Sequence, residues 1–163
     1  TNGTLQFFTW NDASGKEAFW HSSAHVLAQA IVHFYPSAKL TIGPAIEKGF
    51  YYDVDFGEET IGEKDFEKIE KQMLEFARSK SEFKLRAVTK AEALEAYKDN
   101  PYKTELISNL EDGTITFCDH ADFTDLCRGG HIPHTGYIKA VKIMNVAGAY
   151  WRGDENNPQL TRV

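Results

Sequence analysis

Apolar positions along this chain recur in two periods, and each marks a different kind of element. Between residues 17 and 35 they return every three or four places, so Leu27, Ile31 and Phe34 form one stripe of a helix that stops before Pro36. His21, His25 and Ala28 fall on an adjacent stripe, at the expected edge of the core. Ser14 and Glu17 have the spacing of a capping box at its start. Residues 49–56 alternate instead, with Phe50, Tyr52, Val54 and Phe56 on one face and Tyr51, Asp53 and Asp55 on the other, as in a half-buried strand. A second capping box, Thr60 with Glu63, predicts a helix to about residue 80 that shares Phe66, Ile69, Met73 and Phe76 on one face. Thr89 with Glu92 and Asn100 before Pro101 start two short helices. Residues 4–10, 83–88, 114–119, 137–146 and 149–151 read as further strands. Strands outnumber strand–helix–strand units, which predicts an α+β fold, a mainly antiparallel sheet packed with helices.

Composition narrows the class. The chain has 163 residues, 42% hydrophobic and 13% aromatic, enough for one domain with a real core. A net charge of −6 argues against bulk electrostatic binding of nucleic acid. That average hides residues 127–163, where Arg128, Lys139, Lys142, Arg152 and Arg162 face only Asp154 and Glu155. Two cysteines, Cys118 and Cys127, make no disulfide framework and fit a reducing compartment. No apolar run reaches membrane-spanning length and no secretory leader opens the chain, which suggests a cytoplasmic protein with no membrane partner. The first residue is not methionine, so an excised segment is expected.

The candidate chemistry lies in two short-spaced pairs. His21 and His25 leave the same helical face, about 5–6 Å apart at Cβ. Cys127 and His131 flank Gly129 and Gly130, which let the backbone approach closely and set the direction of His131. Four such side chains suit a tetrahedral zinc site, and equally suit proton transfer near neutral pH. The metalloprotease pattern is absent, because no glutamate follows His21. Asp125 could orient an imidazole, bind an ammonium or cap a turn, while Lys103 reads by default as an exposed lysine. His33, His120 and His134 receive no role. The competing classes are a zinc-dependent hydrolase or lyase of a small metabolite and a non-catalytic, zinc-stabilised interaction module.

Four stretches then carry a resemblance. Residues 20–25 (WHSSAH), 41–53 (TIGPAIEKGFYYD), 125–131 (DLCRGGH) and 147–154 (AGAYWRGD), in this order, resemble the editing domain of bacterial-type threonyl-tRNA synthetases, related to that of alanyl-tRNA synthetases. The resemblance implies the threonyl/alanyl-tRNA synthetase common (editing) fold over residues 20–155. It implies the tail of a preceding ubiquitin-like domain or linker over residues 1–19, and over 156–163 the start of a linker to a synthetic core. It implies hydrolysis of the ester of tRNA(Thr) mischarged with serine, within a ligase that attaches threonine to tRNA. By matching position, His21, His25, Cys127 and His131 are the site tetrad and tentative zinc ligands, Asp125 the acidic residue and Lys103 the site lysine. In this branch the tetrad can also arrange water and substrate without a metal. Cys127 as a covalent nucleophile is the sharper alternative. Gly130 stands where proline is common in the family, which would loosen the turn before His131. Arg128 and Arg152 are the candidate contacts to the tRNA 3′ end. ATP, magnesium and a further zinc are expected only in the synthetic core, through which the parent would form a homodimer. The segment itself contains no ATP site or class-defining synthetase motif.

Overall fold

A computed structural model describes residues 3–163. Its centre is α1 (Ala13–Phe34), in which every residue from Ser22 to Ile31 is buried. The helix is therefore covered on all sides rather than along one stripe, and His25 sits inside the core at 2% exposure instead of at its edge. Around it pack α2 (Glu63–Arg78), the hairpin β2 (Ala45–Ile46) and β3 (Gly49–Phe50), and the irregular stretch after residue 137. Val26, Leu27 and Ile31 meet Tyr52, Val54, Ile69, Met73 and Ile143 there. Each large aliphatic side chain buried in this way contributes about 1.5–3 kcal/mol.

All strand pairings are antiparallel among the described residues. A four-stranded sheet runs in the order β1 (Lys39–Leu40), β4 (Asp53–Asp55), β9 (Gln159–Arg162), β8 (Ala147–Tyr150). A three-stranded sheet holds β5 (Lys84–Ala87), β6 (Thr116–His120) and β7 (Phe123–Leu126). Under it lies a second small core of Val88, Ala93, Ile107, Ile115 and Phe117, closed by α3 (Lys90–Ala96) and α4 (Pro101–Ser108). The architecture is the expected α+β class. No helix among the described residues is long and apolar enough to cross a membrane.

Several local expectations are corrected. The helix α1 starts one residue before Ser14, so Ser14 cannot cap it. Asp12 holds the N-cap position, and its carboxylate accepts from the Thr9 amide at 2.7 Å. Likewise α2 is entered at Gly62, whose N–H donates to Asp65 at 3.0 Å, rather than through Thr60 and Glu63. The boxes at Thr89 and Asn100 form as the spacing predicts. Residues 4–10 form no strand, and Leu5 and Phe7 stand about four-fifths exposed. The alternating stretch 49–56 is broken into β3 and β4 at Tyr51 and Tyr52. Residues 137–146 are irregular after a 3-10 turn at Thr135–Tyr137. Ile138 and Ile143 enter the core singly, and the Ile143 amide donates to Glu70 Oε1 at 2.8 Å instead of to a ladder.

Four strands had no counterpart in the pattern: the two-residue β1 and β2, and the longer β7 and β9. The last occupies residues expected to begin a linker, yet it sits between β4 and β8 with Leu160 buried. Arg162 on β9 forms a bidentate pair with Asp53 on β4, both bonds 2.8 Å. Residues 13–19 likewise run into α1, so the 19/20 boundary falls inside a helix.

Candidate functional site

The tetrad forms where α1 meets the loop after β7. His21 and His25 project from α1 one turn apart, their ring centroids 4.9 Å apart and nearly perpendicular. The loop after β7 brings Cys127 Sγ within 3.6 Å of His21 Nε2 and 3.2 Å of His131 Nε2. The four ligand atoms all lie within 4.8 Å of one another. Tetrahedral zinc with bonds of about 2.0–2.3 Å needs donors roughly 3.3–3.8 Å apart, so this donor set fits a metal ion with small adjustments.

His131 is not at the cavity surface. Its ring is stacked between His21, at 4.3 Å, and Phe83, at 4.6 Å. Gly129 and Gly130 carry φ of 97° and 81°. Proline, fixed near −65°, could not adopt the second of these, so this loop follows a path that glycine permits. The expected looseness at His131 is offset by the stack.

Beside the tetrad stands a buried polar cluster. Lys103 Nζ donates to Asp125 Oδ1 at 2.6 Å, and the Tyr52 hydroxyl donates to Asp125 Oδ2 at 2.6 Å. Lys103 also reaches the Tyr52 oxygen at 3.2 Å, and His25 Nε2 lies 3.9 Å from Asp125 Oδ2. Both charged side chains are 2% exposed. Lys103 is therefore not the surface lysine that is the default for its type. The Asn100 cap, which accepts from the Tyr102 and Lys103 amides, turns α4 so that Lys103 points inward. Tyr52 went unsingled in the sequence because it read as one more apolar residue of a strand. Nothing along the chain set it apart; in the fold Gly43 leaves room for it, since a Cβ there would fall 2.2 Å from the Tyr52 ring.

Charge is distributed unevenly across the site. Burial alone would raise the Asp125 carboxyl, but the Lys103 ammonium and His25, with the hydrogen bonds from Lys103 and Tyr52, hold it below the usual range. Tyr52 is pushed far up by burial and by Asp125. Burial opposes charge on His21, yet the contact with Cys127 raises it overall. The contact with Cys118, then those with His131, His21 and His25, draw the Cys127 thiol down against its burial. Cys118 is pushed up by the same contact and by burial. Burial lowers His131.

His21, His25, Tyr52, Lys103, Asp125, Cys127 and Arg128 all line one cavity of about 750 Å³, with Thr41, Gly43 and Pro44 across from them. Arg128 is exposed at its edge. Arg152 is not among the lining residues: it stacks on Trp151 and pairs with Glu105 at 2.8 Å. With Lys142 on Glu70 and Arg162 on Asp53, most of the basic excess of residues 127–163 is neutralised locally.

His120, given no role from the sequence, is buried against Phe83 and Phe123 with Nε2 on Gln29 Oε1 at 2.9 Å. Burial lowers it to about 4. The unfolded chain binds a proton near 6.5 and the folded one near 4, so stability is full above the first value and falls as pH drops between them. At about 1.36 kcal/mol per unit this amounts to roughly 3 kcal/mol. His120→Gln is expected to remove most of that loss, measured as the difference in urea unfolding between pH 7 and pH 4.5. An unchanged difference would show that other groups govern the acid transition.

Comparison with known proteins gives the chain its relatives. Residues 115–163 match the family described as the threonyl and alanyl tRNA synthetase second additional domain. The whole chain aligns with threonine–tRNA ligases, 74% identical over 163 residues to that of Flavobacterium johnsoniae, covering 25% of that protein. It is 55% identical over 165 residues to that of Cytophaga hutchinsonii, 26% of its length, and 52% identical over 163 residues to that of Desulfatibacillum aliphaticivorans, 25% of its length. The chain thus spans about a quarter of the length of the curated relatives it matches. The similarity to threonine–tRNA ligases thus runs along the whole chain, and residues 115–163 carry the match to the second additional domain of threonyl and alanyl tRNA synthetases.

Proposed function

We propose that this chain is the proofreading domain of a threonine–tRNA ligase and hydrolyses the ester of seryl-tRNA(Thr). The observation that carries the reading is the convergence of His21, His25 and Cys127 with Lys103, Asp125 and Tyr52 on one cavity. Such a site answers a physical need. Serine lacks only one methyl of threonine, and a pocket selecting for the larger side chain gains about 1–3 kcal/mol of discrimination. A second pocket that admits serine and excludes threonine inverts the test.

Hydrolysis needs a water delivered to the ester carbonyl and a proton returned to the leaving ribose hydroxyl. His25, held between Asp125 and His21, and His21 itself are the groups suited to position that water and move its proton. Lys103 stabilises negative charge developing on the carbonyl oxygen, its ammonium kept in place by Asp125 and Tyr52. Asp125 is the carboxylate available to a substrate ammonium, which would share it with Lys103. Cys127 and His131 complete the wall. Zinc, when bound by His21, His25, Cys127 and His131, would supply a Lewis acid and a water acidic enough to ionise near neutral pH. Arg128 at the cavity edge is suited to a tRNA phosphate, and Arg152 would have to leave Glu105 to do the same. The reading extends to a cytoplasmic parent ligase that attaches threonine to tRNA and dimerises through a synthetic core, where ATP, magnesium and another zinc would act.

Deacylation of seryl- and threonyl-tRNA(Thr), side by side, tests the proposal. The seryl ester is expected to be hydrolysed about 10–200-fold faster. Hydrolysis of neither ester by the folded chain would overturn the reading. Full activity after chelation, with no metal by elemental analysis, would remove zinc from it.

A further inference from the structure

The ring plane of His131 is fixed by stacking between His21 and Phe83, but stacking does not decide which nitrogen faces which way. A single hydroxyl does. Ser22, on α1 directly after His21, is fully buried, and its Oγ has three partners. It lies 2.8 Å from the Ala18 carbonyl, 3.0 Å from the Ile132 amide and 2.9 Å from His131 Nδ1. A serine hydroxyl has one proton to give and two lone pairs to accept with. The Ile132 N–H occupies one lone pair. Were the proton given to His131, the Ser22 and Ala18 oxygens would face each other at 2.8 Å with no hydrogen between them. Giving it to Ala18 satisfies all three contacts, provided that His131 Nδ1 carries a hydrogen and donates it.

We infer that Ser22 is the positioning residue that holds His131 as its Nδ1–H tautomer, with the bare Nε2 directed at Cys127. In that form Nε2, 3.2 Å from Cys127 Sγ, can accept a proton from that thiol or coordinate a cation shared with it. Ser22 thereby does for His131 what a neighbouring carboxylate or carbonyl commonly does for a metal-binding histidine: it takes the proton on the far nitrogen. The same hydroxyl anchors the backbone immediately after His131, through the Ile132 amide, so ring and loop are tied to α1 at one point. This tie also stands in for the rigidity that a proline at Gly130 would have supplied. The tautomer rests on geometry alone, whereas its consequence for catalysis rests on the deacylase reading above.

The test is histidine-labelled ¹⁵N NMR of the 163-residue chain, in which two-bond nitrogen–proton correlations separate the tautomers. The wild-type His131 signal is expected to show a protonated Nδ1, and a ring protonated at Nε2 alone would overturn the inference without any variant. Ser22→Ala should shift His131 toward the other tautomer while far-UV circular dichroism stays that of the folded chain. Ser22→Thr, which keeps the hydroxyl, should retain the wild-type signal. An unchanged tautomer in folded Ser22→Ala would also overturn it. In seryl-tRNA hydrolysis, Ser22→Ala should lower kcat by about 10–100-fold with KM little changed, and Ser22→Thr should restore it. A wild-type chain that hydrolyses no ester but shows the Nδ1–H signal would sink the deacylase reading and sustain the role of Ser22.

Discussion

Replacing His21 and His25 together by alanine is expected to reduce seryl-tRNA hydrolysis by at least about 100-fold, the lower bound for losing acid–base assistance at the reacting centre. Both rings line the cavity. His25 is also the imidazole nearest Asp125, and the contact between His21 and Cys127 keeps charge on this face of the pocket. Their joint loss removes the groups that could deliver a water. The measurement is single-turnover deacylation, with thermal unfolding to show that the variant stays folded. Hydrolysis at the wild-type rate would mean that the catalytic groups lie elsewhere.

Lys103→Met is expected to cost about 3–5 kcal/mol of stability at neutral pH, as is usual when one member of a buried pair is removed. The Asp125 carboxylate would then be buried with only Tyr52 and the Leu126 amide to hydrogen-bond it. In the wild type, Asp125 is held below its ordinary value, so its contribution is present at neutral pH and lost as pH falls below the usual carboxylate range. Without Lys103, burial pushes the carboxyl above that range, and protonation on acidification relieves the variant. The stability gap between wild type and variant should therefore narrow between pH 7 and pH 4, read from urea unfolding. Adding Asp125→Leu should recover part of the loss, because an apolar pair leaves no stranded charge. A gap independent of pH would show that the Lys103 stem, rather than its charge, supplies the stabilisation.

The parts of this molecule legible in its sequence are those set by neighbours along the chain. The face of α2 that buries Phe66, Ile69 and Met73, and the caps at Thr89 and Asn100, follow from spacing of three or four residues. The tetrad was legible as two local pairs of matching ligand chemistry, and the family resemblance added a reaction for it. The site's remaining members depend on contacts between distant residues. Lys103 becomes buried only because α4 packs on the second core, and Tyr52 becomes polar machinery only because Asp125 arrives from β7. Residues 137–146 show the converse: alternation looked like a strand, but Glu70 from α2 claimed the Ile143 amide. For β9, a short polar-rich stretch has no pattern of its own, and its place is decided by the open edges of β4 and β8.

The tie between α1 and the loop beyond β7 joins residues 109 and 110 positions apart, and the pair that seats β9 on β4 spans 109. A chain emerging from the ribosome thus makes its most apolar helix, and can cover it with α2 and the β2–β3 hairpin, long before the loop that closes its site face exists. Closing loops of that length delays folding, and the uncovered face of α1 is a natural target for chaperones or for wrong association. In this protein the surface that would perform the chemistry and the surface most at risk during synthesis are the same helix.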